Sequence, residues 1–329
     1  MIKNKKTVHE IIKSLLLIRM VEEEICKRYG TIGTDQEMRC PVHISIGQES
    51  VAVGVCANLN KNDTIYSGHR SHAHYLAKGG NLSSMINEIY GKMGGCLDGR
   101  GGSMHLMDES AGVKMSLPIV GSSIPLAVGA ALANKINKNN QLVVSFFGDG
   151  AVEEGVFHES LNFASVNKLP VVFICENNLY SIYTHLKERQ PERPLTMLGK
   201  AHKIKSYSFE GIDALVLKEK ISGILRFTRE NSLPAFVVIN TYRFLQHCGV
   251  QTDDHLEYRG SKELKAWTTQ DPIEVTCSNA ILNGLISELE IKSLKEKINI
   301  EIQSAFNNAA KKPLPTADMA KKFVYWNQE

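Results

Sequence analysis

The chain of 329 residues is predicted to fold as an α/β domain around a mostly parallel central sheet flanked by helices. Three observations carry this. Leu142–Phe147 is an uncharged run of β-forming residues, the composition of a strand buried on both faces. From Glu153 to Val166 the apolar residues change to helical spacing, with Val156, Phe157, Leu161 and Ala164 on one side, until Lys168-Leu169-Pro170 ends the pattern. A second apolar run, Val171–Cys175, then begins and completes a βαβ unit.

Each of the two runs is followed directly by a polar turn, Gly148-Asp149-Gly150 after the first and Asn177-Asn178 after the second. Either turn taken alone has a plain reading as a connection. Their shared register is more informative, because ligands of open α/β sheets gather at the carboxyl ends of the strands, where Asp149 and Asn178 can converge. A carboxylate, an amide oxygen and a backbone carbonyl suit a hard divalent cation such as Mg²⁺ and leave positions for diphosphate oxygens and water. The glycines let the backbone approach the phosphates, and the following helix turns its N-terminus to their charge.

Along the rest of the chain a helix is expected from His9 to Tyr29, with Ile12, Leu15, Leu16 and Val21 among its apolar positions. The segment Pro41–Glu49 leads into a small-residue helix, Ser50–Leu59, and a short strand at Ile65-Tyr66 runs into Ser67–His72. Residues 94–102 are glycine-dense and read as a loop. Ile119-Val120-Gly121 introduces an alanine- and glycine-rich helix, Pro125–Lys135. After Asn178 a polar segment reaches about Lys205, followed by short strands and helices that include Phe236–Asn240. Gln246–Tyr258 has no periodicity and reads as a loop, and a final helix, Ser293–Ala310, closes the chain. With no repeats and no low-complexity linker, one domain over residues 1–312 and a C-terminal tail over 313–329 is the simplest organisation.

Composition narrows the function classes. An apolar fraction of 43% and a charged fraction of 22% are those of a globular protein. A net charge of +3 without a dense Lys/Arg run argues against nucleic acid, and no uncharged run approaches the roughly 18–20 residues of a bilayer span. Seven scattered cysteines with no C-x-x-C pair fit a reduced, cytoplasmic setting better than a disulfide framework or a zinc site. The N-terminal segment, with Glu22, Glu23 and Glu24, suits neither a secretory signal nor an acidic-poor transit peptide.

Taken in order, His43, Gln48-Glu49, His69–His72, Gly101–His105, Ile119–Gly121, Gly148–Gly150, Glu176–Asn178, Thr241–Arg243 and Asp271–Ile273 resemble the α subunit of the thiamine-diphosphate-dependent E1 component of 2-oxo acid dehydrogenases. The resemblance runs from about residue 8 to residue 312. It implies the thiamine-diphosphate-binding fold, with Mg²⁺ held by Asp149, the Asn178 side chain and the Tyr180 carbonyl. It further places Gly148, Gly150 and Ala151 against the diphosphate, His69 and Arg70 beside the cofactor, and Val120 by its pyrimidine. His43 and His247 match the family's two active-site histidines. The implied chemistry is loss of CO₂ from a 2-oxo acid and transfer of the acyl group to a lipoyl-bearing E2. The implied assembly is an α2β2 heterotetramer in which an E1 β-type subunit supplies the glutamate that activates the aminopyrimidine. Glu49 is the local substitute for that glutamate, but its place at the start of a helix favours a capping role.

Departures from the family pattern cluster on the reactant side. Pro41 replaces a frequent aromatic, His69 a frequent Tyr, Pro118 a Gly, and Leu245–Gly249 a His-Gly-His-Ser run. They predict intact cofactor binding with a substrate other than simple pyruvate, and Cys248 removes a serine that some relatives phosphorylate. Two further readings compete with the E1 α subunit: a thiamine-dependent decarboxylase or carboligase without lipoyl transfer, and a scaffold subunit that has lost catalysis.

Overall fold

Alternate residues of the central strands serve opposite layers, and this period of two generates the architecture. The computed structural model describes residues 4–30 and 37–322. Its strands are β1 (Thr64–Ser67), β2 (Val113–Ser116), β3 (Val143–Gly148), β4 (Val171–Asn177), β5 (Tyr180–Ser181), β6 (Thr184–His185), β7 (Lys205–Glu210) and β8 (Ala235–Asn240). Six of them form one sheet in the order β2-β1-β3-β4-β8-β7, parallel at every pairing, while β5 and β6 make a small antiparallel hairpin.

Val144 and Phe146 of β3, Val172 and Ile174 of β4, and Val237 and Ile239 of β8 face one core. The helices Lys5–Arg28, Glu49–Cys56, Ala214–Asn231 and Glu288–Lys311 cover it. Val143, Phe147, Phe173, Cys175, Phe236 and Val238 face the other core, under the helices Ser123–Ile136 and Gly155–Val166. Each long helix buries one stripe, so the sheet is sealed on both faces, as a parallel sheet requires.

The chain leaves β1 toward β2 on one side and leaves β3 toward β4 on the other. The carboxyl ends of β1 and β3 are therefore a topological switch point, where a crevice opens because the two connections diverge. The predicted phosphate turn follows β3, and His69-Arg70 follows β1.

Several element ends differ from expectation. The first helix starts at Lys5, where the Asn4 side chain accepts the amides of Lys6 and Thr7, and the predicted Ser50–Leu59 helix is Glu49–Cys56. The helix predicted at Ser293 begins at Glu288, because Ser287 and Glu290 form a reciprocal capping box. That helix does not close the chain: the short helix Ala317–Lys321 follows within the predicted tail, whose residues 323–329 lie outside the described residues. The glycine-dense loop is held in place by the buried Glu88 carboxylate, which accepts the amides of Leu97, Gly99, Gly101 and Gly102.

Candidate functional site

A cavity of about 240 Å³ lies over the switch point. His43, His69, Arg70, Val120, Gly148, Asp149, Gly150, Ala151, Asn178, Tyr180 and His247 all line it. Every residue proposed from sequence for cofactor, metal or reactants thus meets in one space.

At its base, register pairs Gly148 of β3 with Glu176 of β4, which sets the two turns side by side. Asp149 opens a 3-10 turn and is 1% exposed. Burial pushes its carboxyl pKa up, against the opposing effect of Arg189, whose guanidinium pairs with that carboxylate and with Glu153. Asn178 is buried, accepts the Tyr180 amide at 3.2 Å and donates to Gln48 Oε1 at 2.9 Å. A side chain on Gly148 would meet no atom within 4 Å, so the strand end borders open space. On Gly150 a Cβ would come within 2.8 Å of Ser181 Oγ.

These features fit a metal-bound diphosphate. The buried carboxylate is paired with a cation already, Asn178 and Tyr180 line the same cavity, and the glycine edge leaves room for bulky phosphates.

The upper wall holds three imidazoles. His43, His69 and His247 have ring centroids 4.6, 5.1 and 5.4 Å apart in pairs. Burial, and then the Arg70 charge, pushes His43 down to about 2, His247 to about 3 and His69 to about 4. All three are neutral at pH 7. The segments carrying them come from distant parts of the chain. Gly249 donates its amide to the Val42 carbonyl at 2.8 Å, and Gly47 adopts φ +97° where a Cβ would strike the Tyr242 carbonyl. Arg70 spans the same segments, donating to the Ile44 carbonyl at 2.6 Å and the His247 carbonyl at 3.0 Å. Its fork is therefore a clamp on two histidine segments as well as a positive charge at the cavity.

The loop predicted at Gln246–Tyr258 carries the short turn Asp254–Leu256 and is anchored from below. The fully buried Arg243 donates to the Leu245 carbonyl at 2.8 Å and the Ile182 carbonyl at 2.7 Å, and Asp253 pairs with both Arg243 and Arg259. Glu49 accepts from the Gly47 amide at 2.9 Å and pairs with Arg19. It braces the entry to its helix and does not line the cavity.

Sequence reasoning gave no role to Arg189, Gln48, Glu176 or His74. Arg189 stands in the polar stretch without periodicity, so only the fold reveals that it reaches Asp149. His74 Nδ1 lies 2.8 Å from Ser67 Oγ, and its Nε2 lies 3.2 Å from Glu176 beneath the cavity. Elsewhere, Glu22, His72 and Ser103 form an acid-histidine-serine chain with contacts of 3.0 and 2.7 Å. All three are 0% exposed, which denies a substrate access and makes the chain a structural tie between the first helix and the loop.

Comparison with known proteins agrees with this geometry. The family model for the dehydrogenase E1 component matches residues 16–318. The pyruvate dehydrogenase E1 component subunit alpha of Rickettsia bellii is 32% identical over 326 residues, 98% of each chain. Its counterpart in Rhizobium meliloti is 30% identical over 92% of this chain and 85% of the relative. The chloroplastic subunit alpha-3 of Arabidopsis thaliana is 34% identical over 83% of this chain and 65% of the relative. With the candidate site residues gathered at one crevice and the match spanning nearly the whole chain, the protein belongs to the dehydrogenase E1 component family, as an α-type chain of the thiamine-diphosphate-dependent 2-oxo acid dehydrogenases.

Proposed function

We propose that the chain holds thiamine diphosphate through Mg²⁺ at Asp149, Asn178 and the Tyr180 carbonyl, and that it decarboxylates a 2-oxo acid as half of an α2β2 enzyme with an E1 β-type subunit. The acyl group then passes to a lipoyl-bearing E2. The observation that carries this reading is that Asp149, Asn178 and Tyr180 line one cavity where β3 and β4 end side by side, with the open edge at Gly148 beside them.

When bound, the cofactor supplies the nucleophilic carbon and the electron sink for loss of CO₂. Gly148, Gly150 and Ala151 bring backbone to the diphosphate. His43 and His247, neutral and largely shielded from water, offer nitrogen atoms that bind the substrate's oxygens and exchange protons with them. His43 Nδ1 is buried without a hydrogen-bond partner, which leaves it free for that task. Arg70 keeps both rings in place through their neighbouring carbonyls and raises the local positive potential for an anionic substrate.

Two features support a partner chain. Among the described cavity-lining residues the carboxylates are Asp149 and Glu176, both at the base, which favours an acid at the aminopyrimidine supplied by a second chain. At the cavity's edge Ile119 is 71% exposed and Val120 46% exposed, an apolar rim suited to burial against another subunit. No helix among the described residues is long and apolar enough to cross a membrane. The seven free cysteines support placement in a reducing compartment such as the cytoplasm. The carboligase and scaffold readings gain nothing from the family match.

The relatives named for pyruvate make small 2-oxo acids the first substrates to test. His69, Pro118 and His247, three of the departing or flanking positions, line the cavity, and we expect larger 2-oxo acids to be turned over better than pyruvate. The test is 2-oxo-acid-dependent reduction of an artificial electron acceptor by the chain co-expressed with its β-type partner. Equal or faster turnover of pyruvate would count against the substrate assignment, and no turnover of any 2-oxo acid would count against the function.

A further inference from the structure

We propose that His43, His69 and His247 form a binding site for a soft or borderline divalent metal such as Zn²⁺, separate from the oxygen site at Asp149, and that metal bound there blocks the reactant pocket. One nitrogen of each ring lies within 4.8 Å of the others. No other group of three such ligand residues occurs among the described residues.

The chemistry favours this metal class. A zinc site needs neutral imidazoles, and burial beside Arg70 keeps all three rings unprotonated at pH 7. His43 is 7% exposed and its Nδ1 has no hydrogen-bond partner, so binding a metal breaks no existing bond at that atom. Nitrogens on a tetrahedral zinc, with Zn–N of about 2.0–2.1 Å, stand roughly 3.4 Å apart. His69 and His247 are only half-buried, which leaves their side chains room to turn toward a shared ion. Mg²⁺ does not compete, because it prefers oxygen and an octahedral shell, whereas this cluster presents nitrogen alone.

Arg70 opposes a bare dication. Its two terminal nitrogens are engaged by the Ile44 and His247 carbonyls, however, and three protein ligands leave a fourth position for an anion such as chloride or hydroxide, which offsets the charge. A metal at the centre of the cluster occupies the nitrogens that would otherwise meet the substrate. Only this inhibitory consequence rests on the proposed function; the metal site itself does not.

The experiment is a titration of the full-length chain with Co²⁺ and with Zn²⁺ in excess Mg²⁺, followed by cobalt d–d absorption and calorimetry, in wild type, His69→Phe, His247→Phe and Cys248→Ser. We expect one equivalent with a tetrahedral cobalt spectrum, affinity reduced about tenfold or more in both histidine variants, and no change in Cys248→Ser. In the two-chain enzyme, Zn²⁺ should inhibit and a chelator should restore activity, with His69→Phe less sensitive relative to its own zinc-free rate. Absence of binding, binding unchanged in both histidine variants, or a thiolate-to-cobalt band lost in Cys248→Ser would overturn the site. Binding without inhibition of an active enzyme would overturn the blocking role alone.

Discussion

Gln48 fixes the orientation of Asn178: its Oε1 accepts the Asn178 Nδ2 at 2.9 Å, while the Asn178 Oδ1 accepts the Tyr180 amide at 3.2 Å. A backbone N–H can only donate, so the Tyr180 contact identifies which end of the Asn178 amide is oxygen. The amide oxygen is thereby held beside the Tyr180 backbone, and Gln48, Asn178 and Tyr180 all line the cavity. Gln48→Ala should leave the fold intact and weaken Mg²⁺-dependent cofactor affinity by about 10–100-fold, as loss of an outer-shell partner does. Titration of the cofactor with Mg²⁺ present checks this, and unchanged affinity would remove Gln48 from the site.

Arg189 and Asp149 form the second relationship of consequence. The side chains are 9% and 1% exposed, so Arg189→Met leaves a buried carboxylate with no cation beside it. In the absence of metal this should cost about 3–5 kcal/mol of stability. Mg²⁺ with thiamine diphosphate should then raise the Tm of the variant more than that of wild type. A variant as stable as wild type without metal would mean that the pairing is incidental.

His247→Ala should reduce turnover by at least about 100-fold while cofactor affinity stays within a few-fold of wild type, as the proposed contact of the ring with the reactants requires. Steady-state kinetics of the two-chain enzyme, with cofactor binding measured in parallel, separates the two effects. Unchanged turnover would exclude a role in the chemistry.

The depressed histidine pKa values also bear on acid stability. His43, His69 and His247 fall from 6.5 to about 2, 4 and 3 in the folded chain. Below pH 6.5 the unfolded chain takes up protons that the folded chain refuses, so stability falls as pH drops from about 6.5 toward 4. Allowing for the partial exposure of His69 and His247, the loss is roughly 1 kcal/mol per ring by pH 5. Thermal unfolding at pH 7.5 and pH 5 should show a shallower pH dependence in His69→Phe than in wild type. An equal dependence would mean that the cluster titrates normally.

The sheet was legible where strands are buried on both faces. Leu142–Phe147 and Val171–Cys175 carry an apolar composition that no helix face or loop requires, and they became β3 and β4 within one or two residues. The edge strand β2, with its pattern Val113-Lys114-Met115-Ser116, and the half-exposed β7, Lys205–Glu210, lack that signal, because one face of each meets solvent or loop. The site was legible for a different reason: Arg70, Asp149 and Asn178 stand in short motifs that follow β1, β3 and β4, whereas His43 and His247, away from strand ends, were legible only through the family's motifs. What escaped were the supports. Arg189 reaches Asp149 across 40 residues and Arg243 reaches the Ile182 carbonyl across 61, while Glu88 gathers amides of a loop 9–14 residues further on; such partners are created by the fold.

The most direct test of the account is a thiamine diphosphate titration of the two-chain assembly with and without Mg²⁺, in wild type and Asp149→Ala. The account predicts saturable binding in wild type that requires Mg²⁺, and its loss in a folded Asp149→Ala assembly. Affinity retained in Asp149→Ala, or binding indifferent to Mg²⁺ in wild type, would contradict the metal-held diphosphate on which the functional assignment depends.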